Sequence, residues 1–278
     1  MRLRAANLKQ WSVNLLVLAL ALIFLTPFYL SVVTSFKTPL EIAESVLSLP
    51  EKLAFANYSK AMDMMNMGRS FFNSLIVTVA STTLIILSSS MGAYVIARNY
   101  AKRGYRMTEV LLLAALMIPF QIIMIPVYKL LKTTLLLNSL TGAILILVGT
   151  SIPYCTFLLI GFIKSVPREL EESAIIDGCG PYRTFWQIVF PLLKPITSCL
   201  AVLYVLWMWN DFNVALIVLQ KEAVKTLTVQ QFYFFGENST EYGLAFAAAC
   251  LSMLPIVAVF LLAQKYIIEG LTAGALKG

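Results

Sequence analysis

Long apolar runs separated by short polar stretches organise this chain. Crossing a bilayer as a helix takes about 20 mostly apolar residues, and six such windows recur. They predict spans at Trp11–Val33, Phe71–Ala97, Met107–Leu131, Leu140–Ile163, Pro195–Leu219 and Tyr242–Ile268. The first run is too long for the core of a signal peptide. Thr26-Pro27-Phe28-Tyr29 also stands where a small-residue cleavage site would lie, so the run is read as a retained anchor. The polar stretch Thr34–Ser70 carries Pro39 and Pro50 and predicts short interfacial helices rather than a separate domain. The expected division is an anchor plus extracytoplasmic segment (1–70), a transmembrane domain (71–268) and a cytoplasmic tail (269–278).

Composition narrows the class. Of 278 residues, 59% are hydrophobic and 13% charged, with a mean hydropathy of +0.82. Soluble domains are about half apolar and about a quarter charged. A cytosolic enzyme and a disordered chain are therefore excluded, and the expected fold class is an all-α integral membrane protein. The chain has no histidine, which removes His-ligated metal sites, His-based triads and imidazole proton relays. Cys155, Cys179, Cys199 and Cys250 lack CxxC spacing. They read as small hydrophobes, so neither a disulfide framework nor a metal site is expected.

The net charge of +7 is read as a topology signal and not as a nucleic-acid footprint. Thirteen Lys and Arg fall on the N-terminus, the Arg98–Arg106 and Lys164–Lys194 loops and the C-terminal end, against eight on the other side. Short cytoplasmic loops are enriched in Lys and Arg. Both termini and the Lys164–Lys194 loop are therefore expected in the cytoplasm.

That loop is too patterned to be a connector. Pro167 suits a first helical turn, where its missing N–H costs nothing. Glu169, Glu171 and Glu172 follow where a helix N-terminus favours negative charge. Leu170, Ala174 and Asp177 recur along one face. Asp177-Gly178 is a helix stop, because glycine accepts the left-handed conformation of a C-cap. Gly180-Pro181 opens a second helix, Tyr182–Phe190, and Pro191 and Pro195 force a bend before the fifth span. The expected result is two short exposed helices, with Ser173 and Ala174 small enough for another surface to approach the backbone. A helix lying on anionic lipid would carry Lys and Arg on its polar face. This one carries carboxylates, which points to a protein partner.

Glu172-Ser173-Ala174-Ile175-Ile176-Asp177-Gly178, nine residues, then Ile188-Val189-Phe190-Pro191 resembles the EAA loop of ABC importer permeases. Ser173 stands in place of the family's first Ala, and Phe190 in place of its Leu. Asn73-Ser74-Leu75, Tyr94 with Ala97-Arg98, Ile125-Pro126-Val127-Tyr128, Trp209-Asn210-Asp211-Phe212 and the tail from Gly270 to Gly278 are similar to carbohydrate-uptake permeases. The tail is similar to that of the smaller maltose-type subunit, and the resemblance runs from about Phe71 to the end. It implies a type I ABC importer transmembrane fold of six helices. It further implies that Glu172, Ser173, Ala174, Asp177, Gly178, Ile188 and Pro191 form the surface coupling to an ATPase.

No G-x-x-x-x-G-K-[ST] phosphate loop occurs, so ATP cannot be cradled in the usual way. The chain is expected to perform no bond chemistry and to bind no cofactor. The resemblance implies a partner ABC ATPase dimer that uses ATP and Mg, a second homologous permease, an extracytoplasmic solute-binding protein, and membrane lipid around the spans.

Polar residues within the spans are candidates for the pathway. A carboxylate at a span centre costs about 2.5–3.5 kcal/mol on insertion scales, so Asp211 should face the bundle or a wet cavity. Trp207, Trp209 and Asn210 flank it, and the group reads either as pathway or as a structural cap where the helix breaks. Pro119, Pro126, Pro153 and Pro255 bend helices, either for gating or as static kinks. Gln121 and Tyr154 lie near two of them and are further pathway candidates. Gln231, Phe232, Tyr233 and Asn238 sit in the last outside loop, as interfacial anchors or, as the resemblance suggests, as contacts to the binding protein. Two alternatives differ in class. An ion-coupled secondary transporter needs a titratable relay near the midplane, and Asp211 and Glu109 are the only carboxylates well inside spans. A non-transporting scaffold or receptor is the other.

Overall fold

A computed structural model describes the backbone of residues 2–232, 234 and 241–275, with side chains for 10–11, 13–232, 234 and 241–266. Helices run in the order α1 (Arg2–Ser35), α2 (Pro39–Glu44), α3 (Ala56–Met64), α4 (Met67–Arg98), α5 (Arg103–Leu116), α6 (Phe120–Thr133) and α7 (Leu140–Lys164). There follow α8 (Glu169–Ile176), α9 (Pro181–Thr184), a π-helical turn (Phe185–Val189), α10 (Phe190–Leu192), α11 (Lys194–Trp209), α12 (Asn213–Val218), α13 (Leu227–Phe232) and α14 (Tyr242–Ala275). No strand occurs among the described residues.

Four helices are long and apolar enough to cross a membrane by themselves, or six spans form if each of two bent pairs counts as one. One bent pair corrects a predicted span, and the other is the bend expected before the fifth. Met107–Leu131 is not one rod: α5 and α6 meet at 99°. Pro119 caps the start of α6, has no N–H to give, and disfavours helical geometry at Ile118. Pro195–Leu219 is also divided. Helix α11 ends at Trp209, with α12 beginning only at Asn213, while the 75° turn between residues 181–192 and α11 is the bend expected before this span. The second short helix runs longer than expected, through Leu192, and carries the π turn.

The residues group into two compact units. One combines residues 1–67 with 231–254. Its long helix α1 buries only 6% of its apolar window. The polar stretch after it is built around Lys37, which is fully buried. Its Nζ donates to the carbonyl of Ser45 at 2.8 Å, to that of Val46 at 3.3 Å and to Ser48 Oγ at 3.0 Å. All three ammonium donors are thus satisfied, as burial of that group demands. Thr38 and Glu41 form a reciprocal capping box at α2. Asn57 Nδ2 donates to the carbonyls of Ser35 and Lys37 at 2.9 and 3.0 Å. Gly243 lies against this bridge: a Cβ there would stand 2.6 Å from the Lys37 carbonyl oxygen and 2.8 Å from Asn57 Nδ2.

The second unit combines residues 68–230 with 255–278. Its apolar core takes Val77, Ile85 and Ile96 from α4, Leu147, Leu159 and Ile163 from α7, and Leu200 and Tyr204 from α11. Serines and threonines of α4 are buried in the same helix, among them Ser74, Thr78, Ser81 and Ser89; small residues of this kind let membrane helices approach closely. Cys155, Cys199 and Cys250 are buried and Cys179 is partly so, and all four are free thiols.

Candidate functional site

Helix α8 begins with Glu169, Glu171 and Glu172 in its first turn. It ends in a Schellman motif: Cys179 N–H donates to the Ala174 carbonyl at 2.9 Å and Gly178 N–H to that of Ile175 at 3.0 Å. Gly178 has φ +83°, a conformation that glycine adopts without a Cβ penalty. The inward face consists of Glu171 and Ala174. Glu172, Ser173, Asp177 and Gly178 are exposed, alongside Leu170, Ile175 and Ile176, the last 85% exposed. Of Leu170, Ala174 and Asp177, only Ala174 is buried. Ala174 packs inward, while Ser173 alone leaves the small outward position, its Oγ returned to the Glu169 carbonyl at 2.8 Å. Farther on, Ile188 is half-buried within the π turn and Pro191 is exposed.

Sequence reasoning missed the group behind α8. Glu171 was read only as one of three helix-start carboxylates. It pairs with Arg98 at the end of α4, Nη2 to Oε1 2.5 Å and Nε to Oε1 2.7 Å. The Tyr94 hydroxyl donates to Glu171 Oε2 at 2.9 Å. Arg98 Nη2 also donates to the Val166 carbonyl at 3.1 Å, and Arg168 Nη2 to the Arg98 carbonyl at 3.2 Å. Tyr94 and Arg98 stood out in the sequence, but nothing there joins them to a partner 77 and 73 residues away. Nearby, Lys164 Nζ lies 3.5 Å from Glu109 Oε1 and 3.6 Å from the centroid of the Tyr100 ring.

The pathway candidates divide into two sets. Tyr154 and Trp207 come together, ring centroids 5.8 Å apart, and Tyr204 meets Trp207 edge-on at 5.2 Å. With Leu116, Thr150 and Ser151 these rings line an open concavity of about 350 Å³. Apolar ring faces beside hydroxyls are the chemistry that suits an amphipathic ligand. Gln121 is exposed at the start of α6 and is not among the lining residues. Trp209 is buried instead, edge-on to Phe71 at 5.8 Å. Asn210 Nδ2 donates to the Leu206 carbonyl at 2.8 Å. Asp211 Oδ2 accepts from Ala215 N–H at 3.0 Å, and its carbonyl accepts from Thr228 Oγ1 at 2.9 Å. The carboxylate thus holds the first turn of α12, which is capping geometry.

At the same end of α4 as Phe71, the segment between α12 and α13 is tied down on both sides. Asn138 Oδ1 accepts from Gln220 and Lys221 N–H at 2.8 and 3.0 Å. Asn73 Nδ2 donates to the carbonyls of Ala223 and Lys225 at 3.2 and 3.0 Å, and Leu227 N–H donates to Ser74 Oγ at 2.9 Å. Within the segment Glu222 pairs with Lys225 and accepts from Gln230 Nε2 at 2.8 Å. Those two donors hold its carboxyl below the usual range. Gln231 is partly buried and Phe232 half exposed at the end of α13; Tyr233 and Asn238 lie outside the described residues.

Residues 85–272 match the family described as binding-protein-dependent transport system inner membrane component. The chain is 36% identical to a probable starch degradation products transport system permease protein of Thermoanaerobacterium thermosulfurigenes, over 99% of this chain and all of that one. It is 38% identical to a melibiose/raffinose/stachyose import permease protein of Bacillus subtilis, again over 99% of this chain and all of the other. Among solved structures it is similar, at a TM-score of 0.78 and 21% identity, to a chain from a bacterial ABC transporter involved in import of the acidic polysaccharide alginate. That match covers 91% of this chain and 95% of the other. The helical architecture is that of the type I ABC transmembrane fold. The chain belongs to the binding-protein-dependent transport system inner membrane component family. It is a multi-pass permease component of an ABC importer and not an enzyme.

Proposed function

We propose that this chain is one of two permease subunits of an ATP-driven importer for oligosaccharides or related polyols. It would couple to a separate ATPase dimer through α8 and the turn that follows. The observation that carries the coupling assignment is the exposed face of α8. Glu172, Ser173 and Asp177 are exposed there together with Ile175 and Ile176, a surface that offers a partner both apolar contact and carboxylates. Ile188 and Pro191 belong to the next segment and support the same surface. The sugar assignment draws on the starch-product and raffinose-type transport named for the relatives. The ring-lined concavity at Tyr154 and Trp207 suits a sugar, whose C–H faces stack on aromatic rings while hydroxyls supply hydrogen bonds.

In this reading ATP and Mg are used by the partner ATPase, and an extracytoplasmic binding protein delivers substrate near Gln231, Phe232, Tyr233 and Asn238. Gln121, Trp209, Asn210 and Asp211 remain pathway candidates alongside Tyr154 and Trp207, with Asp211 acting through the shape of its helix break. Both termini face the cytoplasm; residues 1–70 anchor the chain, 71–268 form the transmembrane domain and 269–278 a cytoplasmic tail. The test is purification of the tagged chain from its host in mild detergent, with mass spectrometry of its stoichiometric partners. A second permease, an ATPase with a phosphate loop in about two copies and a sugar-binding protein are expected. A chain that purifies alone, stable and monodisperse, overturns the proposal in favour of ion-coupled transport.

A further inference from the structure

Helix α4 differs from its neighbours. Its 32 residues contain no proline and no break, while the α5–α6 and α10–α11 pairs turn by 99° and 75° and α7 carries Pro153. A helix without proline keeps every backbone N–H donor in its interior, whereas a break between helices absorbs displacement. Both ends of α4 are fixed to other segments through side chains. At one end Arg98 and Tyr94 grip Glu171 of α8. Arg98 and Arg168 add bonds to the backbone on either side, at Val166 and Arg98. At the other end Asn73 and Ser74 hold residues 223, 225 and 227. From residue 73 to residue 98 the helix rises about 37 Å, at 1.5 Å per residue.

The grip on α8 is of an unusual kind. Arg98 and Glu171 side chains are only 12% and 10% exposed. The carboxylate uses both oxygens, one for Arg98 and one for the Tyr94 hydroxyl. A buried pair of this sort adds little net stability over an apolar contact, but breaking one partner leaves an uncompensated charge. Its use is directional: Arg98 Nη2 and Nε both donate to Oε1 while the Tyr94 hydroxyl donates to Oε2, and charge-assisted bonds of this kind depend on geometry. Helix α8 therefore cannot slide or roll on α4 without abandoning the pair.

We propose that Arg98, Glu171 and Tyr94 form a rigid joint that fixes α8 to α4, so that displacement of α8 is carried along α4 to the segment of residues 220–227 at its far end. Arg98, Glu171 and Tyr94 are positioning residues. This inference rests on α8 being the ATPase-docking segment.

The test uses the complete importer, with its second permease, ATPase and binding protein, in lipid nanodiscs. The four native cysteines are replaced by serine and a spin label is placed on Phe72→Cys, an exposed position beside Asn73. Label accessibility is compared without nucleotide and after trapping with ATP and vanadate, while hydrolysis is measured in parallel. The unmodified joint is expected to give a nucleotide-dependent change at residue 72. In Arg98→Gln the ATPase stays bound and hydrolyses ATP, but that change shrinks by at least about fivefold, the low end of common coupling strengths. Tyr94→Phe gives a smaller loss, and the exchange Arg98→Glu with Glu171→Arg restores part of the response. An undiminished response in Arg98→Gln and Tyr94→Phe overturns the joint. So does loss of ATPase binding in every variant, including the exchange and Tyr94→Phe, which would make the cluster a folding element only. If the unsubstituted complex binds no ATPase, it is the docking assignment of α8 that fails, and the joint with it.

Discussion

Gly243 and Gly92 show how differently two glycines can be constrained. A methyl group on Gly243 meets a backbone oxygen at 2.6 Å and the Asn57 amide that bridges Ser35 and Lys37. Nothing lies within 4 Å of a Cβ on Gly92. Gly243→Ala is expected to cost about 1–3 kcal/mol, the range for overpacking a filled site. Gly92→Ala should be neutral or stabilising by up to about 1 kcal/mol, since helical glycine is entropically costly. Thermal unfolding of the two variants in the same detergent separates them. Glu41 gives a pH dependence at the same scale. Its carboxylate accepts from Thr38 N–H and Oγ1 at 2.7 and 2.8 Å and from Glu51 N–H at 2.8 Å. These bonds, that from the Thr38 backbone first, hold its carboxyl at about 2, down from 4.5. A carboxyl lowered in the folded state lends stability above its unfolded value and loses it as pH falls through the folded one. Amide exchange in residues 38–51 should therefore rise as pH drops from about 4.5 to about 2, after correction for intrinsic exchange. In Glu41→Gln that acid-induced rise should be absent.

Secondary elements were legible wherever one physical signal dominated. The apolar windows of α1, α4, α7 and α14 run long enough to exceed any competing pattern, and Asp177-Gly178 marked the end of α8 through glycine's access to positive φ. The bend before α11 was legible in Pro191 and Pro195, but the one between α5 and α6 was not. Pro119 and Pro126 sit seven residues apart in one apolar run, yet Pro119 starts a helix and Pro126 lies within one. Proline restricts the residue before it, but neighbouring packing decides whether a helix kinks or stops. The Glu171–Arg98 pair was invisible for another reason: its members lie on different helices, and three glutamates within four residues offer no sign of which one turns inward. Asp211 is the case where a local rule and a functional reading compete. If its role is to hold α12, Asp211→Asn should keep folding and transport, because an amide oxygen accepts the same Ala215 bond. Asp211→Ala should cost about 0.5–2 kcal/mol, as loss of a capping acceptor does. Amide exchange across residues 213–218 reads this directly.

At the scale of the whole chain, the proposed coupling surface is the exposed face of α8. The substitutions Glu172→Lys and Asp177→Lys together reverse the charges exposed with Ile175 and Ile176 without touching the inward Glu171 and Ala174. Membrane insertion and partner permease binding are expected to survive, while the ATPase is lost from the purified complex. Retention of the ATPase at unchanged stoichiometry would count against α8 as its dock. Failure of the permease pair to form would instead show a folding defect, which the inward position of Glu171 and Ala174 argues against.

The near-complete exposure of the apolar window of α1 bears on how the chain is made. Its apolar stretch Val13–Ser35 has 23 residues and spans about 35 Å at 1.5 Å per residue, enough for a hydrocarbon core of about 30 Å. Because it buries so little of itself within the chain, it can leave the translocon for lipid before any later helix exists. Helices α5 and α6 have 14 residues each, about 21 Å of rise, so neither crosses alone. Whether as a broken span or as a re-entrant loop, this stretch lodges in a bilayer only with both helices present.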